Sequence, residues 1–271
     1  MIVNKIQRAA LRENITRWRK APRRMPWREP EADGKLDPYK ILVSELMLQQ
    51  TRVGRVATKF EVFLRRFPNV TELARAPLSD VLKLWSGLGY NRRAKYLHEA
   101  AKRLKDHQHP WTKQQLTDCK GIGENTAKAI RVYAYNAPEV FIETNIRSVF
   151  IHHFFKEQDD IGDESVKRLL AEVLDRKDPR SFYWALMDYG THIKSTFGNN
   201  IGRSKTHKKQ SPFKGSRRQI RGLVLRSLGK SPKTRNGLAR EAADDRTKGV
   251  IDDLLREGLI CRYGRKLKLA K

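Results

Sequence analysis

Asp118-Cys119-Lys120-Gly121-Ile122-Gly123-Glu124-Asn125-Thr126-Ala127 is the stretch that decides how this chain reads. A tight Gly-x-Gly turn opens there directly into a helix that continues Lys128-Ala129-Ile130. Glycines at both ends of the turn let the backbone approach a ligand closely, and the helix start leaves N–H groups unpaired and pointing outward. Apolar Leu116 before the turn and Ala129, Ile130 and Val132 after it complete a helix-hairpin-helix pattern. Such a hairpin grips a nucleic-acid backbone without reading its sequence. A Gly-x-Gly before a helix is also a common packing turn, so the rest of the chain has to agree.

Charge agrees. The 271 residues hold 57 Lys and Arg against 30 Asp and Glu, a formal net charge of +27, which predicts a polyanionic partner. Between Tyr189 and Arg240 there is no acid, while Lys194, Arg203, Lys205, Lys208, Lys209, Lys214 and eight further Lys and Arg fall there. A charge run is ordinarily a solvated face, but one this long without counter-charge repels itself unless an anion arrives. Arg203, Lys205, Lys208 and Lys209 are therefore expected to bind nucleic acid. No apolar run approaches the length of a spanning helix and no basic amphipathic helix carries an aromatic-rich face, so nucleic acid ranks ahead of a membrane surface.

With 39% hydrophobic content the chain can bury one large core or two modest ones plus a small appended module. Met1-Ile2-Val3-Asn4-Lys5 carries no apolar signal segment, and Cys119 and Cys261 are the two cysteines, far apart in sequence. Both features predict a reducing cytoplasm, where a basic monomer associates with the nucleoid. Two cysteines cannot supply the four thiolates of an iron–sulfur cluster, and the adjacent His152-His153 diverge around a helix, so no metal or cofactor is expected.

Helical spacing of apolar residues recurs in Ile6-Ala9-Ala10-Ile15-Trp18, Ile41-Leu42-Leu46-Met47, Val56-Phe60-Phe63-Leu64, Val81-Leu82-Leu84-Trp85 and Ala94-Leu97-Ala101-Leu104. Prolines at 38, 68, 77, 110, 138 and 179 punctuate the pattern. The fold class is thus all-α. Strand-like alternation is confined to Leu259–Tyr263 and Arg265–Leu269, a short hairpin turning at Gly264. Helix candidates Arg217–Leu228, Thr234–Ala242 and Lys248–Glu257 precede it and outline a winged-helix-like module over 216–271, reached by a basic linker over 198–215.

Met25-Pro26-Trp27-Arg28, Asp37-Pro38-Tyr39-Lys40, Ser44-Glu45-Leu46-Met47-Leu48-Gln49-Gln50-Thr51-Arg52-Val53, Gly87-Leu88-Gly89-Tyr90 and Arg92-Arg93-Ala94-Lys95-Tyr96-Leu97 precede the Gly-x-Gly hairpin. In that order the set resembles the MutY-type adenine DNA glycosylases of the helix-hairpin-helix glycosylase superfamily, which includes endonuclease III. The likeness runs from about Ile15 to Gly190. It implies a two-lobed fold, with one lobe over 23–133, a second from 1–22 plus 134–197, and a cleft that receives a flipped base. It also implies a partner, double-stranded DNA containing a mispair, and removal of an adenine opposite guanine or 8-oxoguanine in base excision repair.

Breaking a purine N-glycosidic bond needs a proton on the leaving base and negative charge near the developing sugar cation, hence two carboxylates in unlike environments. Glu45 has apolar neighbours on both sides, Ile41-Leu42-Val43 and Leu46-Met47-Leu48, which predicts partial desolvation. The resemblance makes it the acid that protonates adenine; the plainer role is a surface ion pair with Arg52 or Lys40. Glu143 stands where the family has the aspartate that stabilises the sugar cation, a departure that leaves open an inactive, DNA-binding protein. Asn145 matches an asparagine expected to orient that carboxylate or contact the backbone; a helix N-cap, which Thr144 can also fill, is its plainer role.

At the Schiff-base lysine position of the superfamily's lyase branch stands Asn125, which offers no amine, so a monofunctional enzyme is implied. Lys194 stands in place of the first cysteine of the family's cluster loop, suggesting direct phosphate contact there instead. Gln49 and Gln50, with Leu48 or Tyr90, are expected to enter the base stack, and Thr51, Lys120, Gly121, Gly123, Asn125 and Thr126 to contact DNA. A thymine or uracil mismatch glycosylase is the alternative, against which Glu45 argues, because pyrimidine departure does not use N7 protonation.

Overall fold

A computed structural model describes residues 5–271. The reading of Met1–Asn4 lies outside the described residues. In chain order the first helices are α1 (Lys5–Lys20), α2 (Pro38–Leu48), α3 (Val53–Arg66), α4 (Val70–Arg75), α5 (Leu78–Trp85), α6 (Arg92–Leu104) and α7 (Lys113–Thr117). There follow α8 (Glu124–Tyr135), α9 (Thr144–Phe154), α10 (Asp163–Val173), α11 (Pro179–Thr196), α12 (Arg217–Lys230), α13 (Arg235–Ala242) and α14 (Thr247–Arg256). Strands β1 (Ile260–Tyr263) and β2 (Lys266–Leu269) close the chain's order of elements. No described helix is long and apolar enough to cross a membrane.

These elements form two compact units. One comprises the described residues up to Pro38 with Gly123–Lys209, the other Tyr39–Ile122 with Gln210–Lys271.

In the first unit α11 is the central helix. Pro179 at its start and the Asp178 side chain accepting from Ser181 N fix its N-terminus, and Phe182, Tyr183, Leu186, Tyr189 and Ile193 are buried along it. It packs along α9 and α1. Phe141 stacks on Tyr183 at 4.2 Å, just ahead of α9.

In the second unit α3, α5 and α6 enclose Phe60, Phe63 and Trp85, all 1% exposed or less. The Tyr39 hydroxyl donates to Phe67 O at 2.8 Å and so satisfies its one polar atom inside this core.

The module of α12, α13, α14 and a β-hairpin follows the expected helices to within one residue at every end but one, α12 running on two residues from the expected Leu228 to Lys230. Register runs from Ile260↔Leu269 to Tyr263↔Lys266, and the two-residue turn between the strands places Gly264 at φ 57°. Lys233 exchanges both backbone bonds with Leu267, adding a third short rung.

The structure divides the chain differently from the expected boundaries, for identifiable reasons. Residues 23–38 join the first unit because Asp188 of α11, its side chain 0% exposed, binds Arg23 N at 2.9 Å and Arg23 Nε at 2.7 Å. Asp188 also accepts two bonds from Arg28, at 2.8 and 3.0 Å. Residues 123–133 join it through α8, where Tyr133 packs on Phe141 and Trp184. The expected linker is partly structured: a 3-10 turn at Asn200–Arg203 is pinned by Ile161 N→Arg203 O and Lys205 N→Ile161 O. The winged module shares a unit with α2–α7 because Glu257 accepts from Arg92 and Arg221, while Lys95 Nζ donates to Glu257 O at 2.7 Å.

Burial alone would raise the pKa of Asp188, but the hydrogen bonds and charge of Arg28 and Arg23 hold it below the usual carboxylate range. A carboxylate with a depressed folded pKa adds stability that is present above about pH 4 and is lost as pH falls through the folded value. Asp188→Asn therefore destabilises the protein by about 3–5 kcal/mol at neutral pH. In urea melts across pH 2–7 the variant also loses part of the wild type's acid sensitivity.

Candidate functional site

In the second unit the first site element is the end of α2. Glu45 is half-buried between fully buried Ser44 and Leu46, and Gln49 follows one turn later. Gln49 Nε2 donates to Gly121 O at 3.3 Å, bringing the Gln-Gln-Thr segment to the hairpin turn. Gln50 adopts φ 55° and is exposed. A second loop, Gly87-Leu88-Gly89-Tyr90, holds three left-handed residues: Gly87 at 96°, Gly89 at 75° and Tyr90 at 47°. Left-handed backbone at a residue with a side chain costs roughly 1–3 kcal/mol and persists where the surroundings over-determine it.

Arg93, at 6% exposure, supplies that determination. One guanidinium nitrogen lies within hydrogen-bond distance of Leu46 O, Met47 O and Gln49 O, at 2.7, 2.9 and 2.5 Å, and its two N–H groups are shared among these carbonyls at and just beyond the end of α2. The other donates to Thr51 Oγ1 at 2.9 Å, Leu88 O at 3.4 Å and Gly89 O at 3.0 Å. The rings of Trp85 and Tyr90 lie 5.4 and 5.6 Å from its Cζ. Burial pushes its pKa down to about 10, so it remains a cation at neutral pH. The sequence alone gives Arg93 no role.

Gln50, Tyr90 and Arg93 line a cavity of about 390 Å³ with Arg217, Arg218 and Arg221 of α12. Arg217 is paired with Asp253 and Arg221 with Glu257. Arg218 has no carboxylate within ion-pair distance among the described residues; it donates to the Tyr90 hydroxyl at 3.0 Å and lies over that ring at 5.5 Å. Gln210 bonds both Gln50 and Tyr90.

The hairpin turn carries the chain from one unit into the other. Gly121 is left-handed at φ 88°, and a Cβ there would meet Tyr96 at 2.4 Å, so glycine is required for packing. Gly123 is the N-cap of α8, with open space around it, and Asn125 is exposed in the first turn beside half-buried Thr126. Lys120 is exposed and lies over Tyr96 at 5.7 Å.

In the first unit, Glu143 occupies the N-cap position of α9 itself, without a capping bond from its side chain. The cap expected of Asn145 or Thr144 is therefore not formed by either; Thr144 is the first residue of the helix and exposed. Glu143 Oε1 is buried and has no hydrogen-bond partner. Burial pushes its pKa up to about 7, against the downward pull of Lys194 and Arg147. Arg147 is bound to Asp163 by two bonds of 2.7 Å. The Asn145 amide is held at both ends, donating to Thr191 Oγ1 at 3.4 Å and accepting from Lys194 Nζ at 2.7 Å.

The remaining expected contacts separate into two groups. The Thr51 hydroxyl donates to Gln49 O and Leu88 O and accepts from Arg93, so it serves the loop. Arg203 binds Asp159 at 3.0 Å and donates to Phe155 O and Gln158 O, closing the turn after α9, and Lys205 lies 3.9 Å from Asp160. The acid-free run is thus neutralised in part by acids from elsewhere. Lys208 and Lys209 are exposed and form no ion pair among the described residues.

No group of three His, Cys, Asp or Glu among the described residues can hold a metal ion. Cys119 is buried and Cys261 half-buried, both in the second unit, and two thiols do not fit a four-cysteine cluster.

Residues 43–176 match the HhH-GPD superfamily of base excision DNA repair proteins. An adenine DNA glycosylase of Mycobacterium tuberculosis is 37% identical over 188 residues, covering 66% of this chain and 60% of the relative. One from Mycolicibacterium smegmatis is 32% identical over 267 residues, covering 89% and 88%. The chain belongs to the adenine DNA glycosylase family. A thermostable thymine-DNA glycosylase structure overlays with a TM-score of 0.60 at 21% identity, over 73% of this chain and 94% of that one, which shows the shared fold. The aligned part of the chain spans about six tenths of the tuberculosis relative.

Arg93→Lys leaves at most three donors where the guanidinium has five. Buried carbonyls at the end of α2 and in the Gly87–Tyr90 loop then lose their partners. The variant is expected to be less stable by about 2 kcal/mol or more, read as a lower urea midpoint with an unchanged m-value.

Proposed function

We propose that this chain is a monofunctional glycosylase that hydrolyses the N-glycosidic bond of a mispaired adenine flipped out of double-stranded DNA, opposite guanine or 8-oxoguanine, and that it acts as a monomer. The observation that carries this reading is the buried, unbonded oxygen of Glu143. An acceptor kept from water without a partner costs about 1–3 kcal/mol, which suits a group whose partner exists only transiently. A sugar cation in mid-reaction is such a partner.

In the reaction Glu45 gives its proton to N7 of adenine. The C1′–N9 electron pair leaves with the base, positive charge spreads over C1′ and O4′, and the Glu143 carboxylate balances it. Water then adds at C1′ and loses a proton, leaving an abasic site. The adenine named in the relatives supports a purine over a pyrimidine target. Gln49, Gln50 and Tyr90 enter the stack where the base has left. The amide of Asn125 offers no amine for a Schiff base, and Lys128 nearby is paired with Glu124 at 3.0 Å, which supports hydrolysis without strand cutting. The first turn of α8 and free cations such as Lys208 and Lys209 hold the phosphates.

Glu45→Gln should retain mismatch binding while single-turnover excision of adenine falls by roughly two to four orders of magnitude. Excision close to wild type would remove Glu45 from the mechanism. Glu143→Gln should abolish excision without weakening binding, and Glu143→Asp, which withdraws the carboxylate by about 1.5 Å, should cost on the order of 10²-fold. A wild type inactive on every mispair and rescued by Glu143→Asp would show a pocket that has lost its activity.

Duplex binding should weaken by about 0.9 log unit per log salt for each phosphate neutralised. Replacing Lys208, Lys209 and Lys214 together by alanine flattens that slope, measured by fluorescence anisotropy. Arg203→Ala leaves the slope unchanged and lowers the urea midpoint.

A further inference from the structure

The first turn of α9 is cradled by one face of α11. A Cβ at Gly190 would lie 2.4 Å from Asn145 O and 2.8 Å from its carbonyl carbon, so only glycine lets the two backbones approach this closely. One turn further along the same face, half-buried Lys194 reaches back and donates to Asn145 Oδ1 at 2.7 Å. Thr191 between them takes the other end of the Asn145 amide and is itself bonded to Met187 O. Lys194 therefore does not extend outward to phosphates as the sequence suggested. Its ammonium is directed to the Glu143–Asn145 turn, yet it forms no direct ion pair with any carboxylate among the described residues.

We propose that Lys194 is a positioning residue for Glu143, its ammonium held off by the Asn145 amide so that its field favours the ionised form of the carboxyl while Oε1 stays free for the sugar cation. This rests on the reading that Glu143 faces the sugar. Direct contact would defeat the purpose, because an ammonium bonded to Glu143 would occupy the oxygen and already balance its charge. Without any cation nearby, burial would protonate the carboxyl at neutral pH, and a neutral carboxyl cannot stabilise a developing positive charge. An offset cation satisfies both requirements.

Several other charged groups around α9 are engaged elsewhere, and Lys156, past its far end, acts on His152 and His153. Arg147 on α9 is bound to Asp163 of α10, which offsets its charge. The 3-10 turn at Asn200–Arg203 presents neutral Asn200, bonded to Ser148 O, and its Arg203 is bound to Asp159. From α1, Arg8 and Arg19 are paired with Glu172 and Asp175. Lys156 apart, Lys194 is thus the cation without a counter-ion in this set, and the directions of the shifts agree: Lys194 is the foremost influence lowering Glu143, and Glu143 raises Lys194 against the effect of burial.

The test uses the full chain in wild-type, Lys194→Met, Lys194→Gln and Lys194→Arg forms, each checked for folding by urea melt. Two readouts are taken between pH 5.5 and 8.5. One is single-turnover excision from a duplex with one adenine–guanine mispair; the other is titration of the Glu143 carboxyl by ¹³C NMR, assigned by the signal lost in Glu143→Gln. Removing the ammonium should move both the acid limb of excision and the carboxyl titration upward by about one pH unit or more. Lys194→Met and Lys194→Gln are then roughly tenfold slower than wild type at low pH, and the deficit shrinks as pH rises. Lys194→Arg restores the wild-type limb.

A Glu143 titration that does not move in Lys194→Met and Lys194→Gln overturns the proposal, as does a rate loss equal at every pH. A wild type that excises no mispair sinks the glycosylase reading alone, because the carboxyl titration still decides what Lys194 does.

Discussion

A buried guanidinium is stable only if all its surroundings are arranged for it, and Arg93 imposes that condition on half of the candidate site. It has no carboxylate partner among the described residues; its charge is met by carbonyl dipoles from the end of α2 and from the Gly87–Tyr90 loop, with Thr51 between them. Each segment alone would be free to relax. Gln50 and Tyr90 hold left-handed backbones that their side chains disfavour, and the shared cation makes those conformations mutually necessary. The placement of Gln49, Gln50 and Tyr90, and their approach to the hairpin turn and the α12 arginines, follows from this one residue.

The two carboxylates differ in how their surroundings treat charge. Glu45 lies half-buried on a helix where Ile41, Leu42, Val43, Leu46 and Met47 are buried. Glu143 lies at a helix start, where the unpaired N–H groups favour an anion, yet its oxygen is buried and unbonded. The proposed proton donor and cation stabiliser need opposite protonation states at one pH, and burial of Glu143 works against its ionised form, with Lys194 and Arg147 opposing that effect. Where the family resemblance leads one to expect an aspartate this chain has glutamate, and its longer arm coincides with a lysine in α11 that engages the adjoining asparagine.

Local signals in the sequence were enough where structure is local. The winged module was legible because its hairpin turns at a glycine and apolar spacing changes from helical to alternating within a few residues. The unit boundaries were not legible, because they depend on Asp188 meeting Arg23 and Arg28, more than 150 positions away in sequence. Arg92 and Arg93 show the same limit at a single step. Adjacent and identical in type, one is 57% exposed at its side chain and paired with Glu257, the other is the buried hub, and only the turn of α6 separates their fates. Thr51 and Arg203 were read as contacts to DNA since spacing reveals a polar group and not its internal acceptor.

The acid-free run from Tyr189 to Arg240 owes its meaning to the acids that follow it. Arg217, Arg221, Lys233 and Arg235 are paired with Asp253, Glu257, Glu241 and Asp252, all drawn from the stretch after the run. Arg217, Arg221 and Arg235 hold α12 and α13 to α14 and to the residue after it, Lys233 binds α13, and the more exposed of these pairs contribute little stability each. What they accomplish is selection: they remove part of the basic charge from the general field and leave it concentrated where no acid answers, at Lys208, Lys209, Lys214 and Arg218. Arg218 differs from the other three in being partly enclosed, between the Tyr90 ring and Ser211, at the wall of the cavity that Gln50 also lines. A charge that is desolvated before a ligand arrives has less hydration to lose on binding. The net charge of +27 therefore describes attraction toward a polyanion in general, whereas the geometry around Tyr90 favours one place on it.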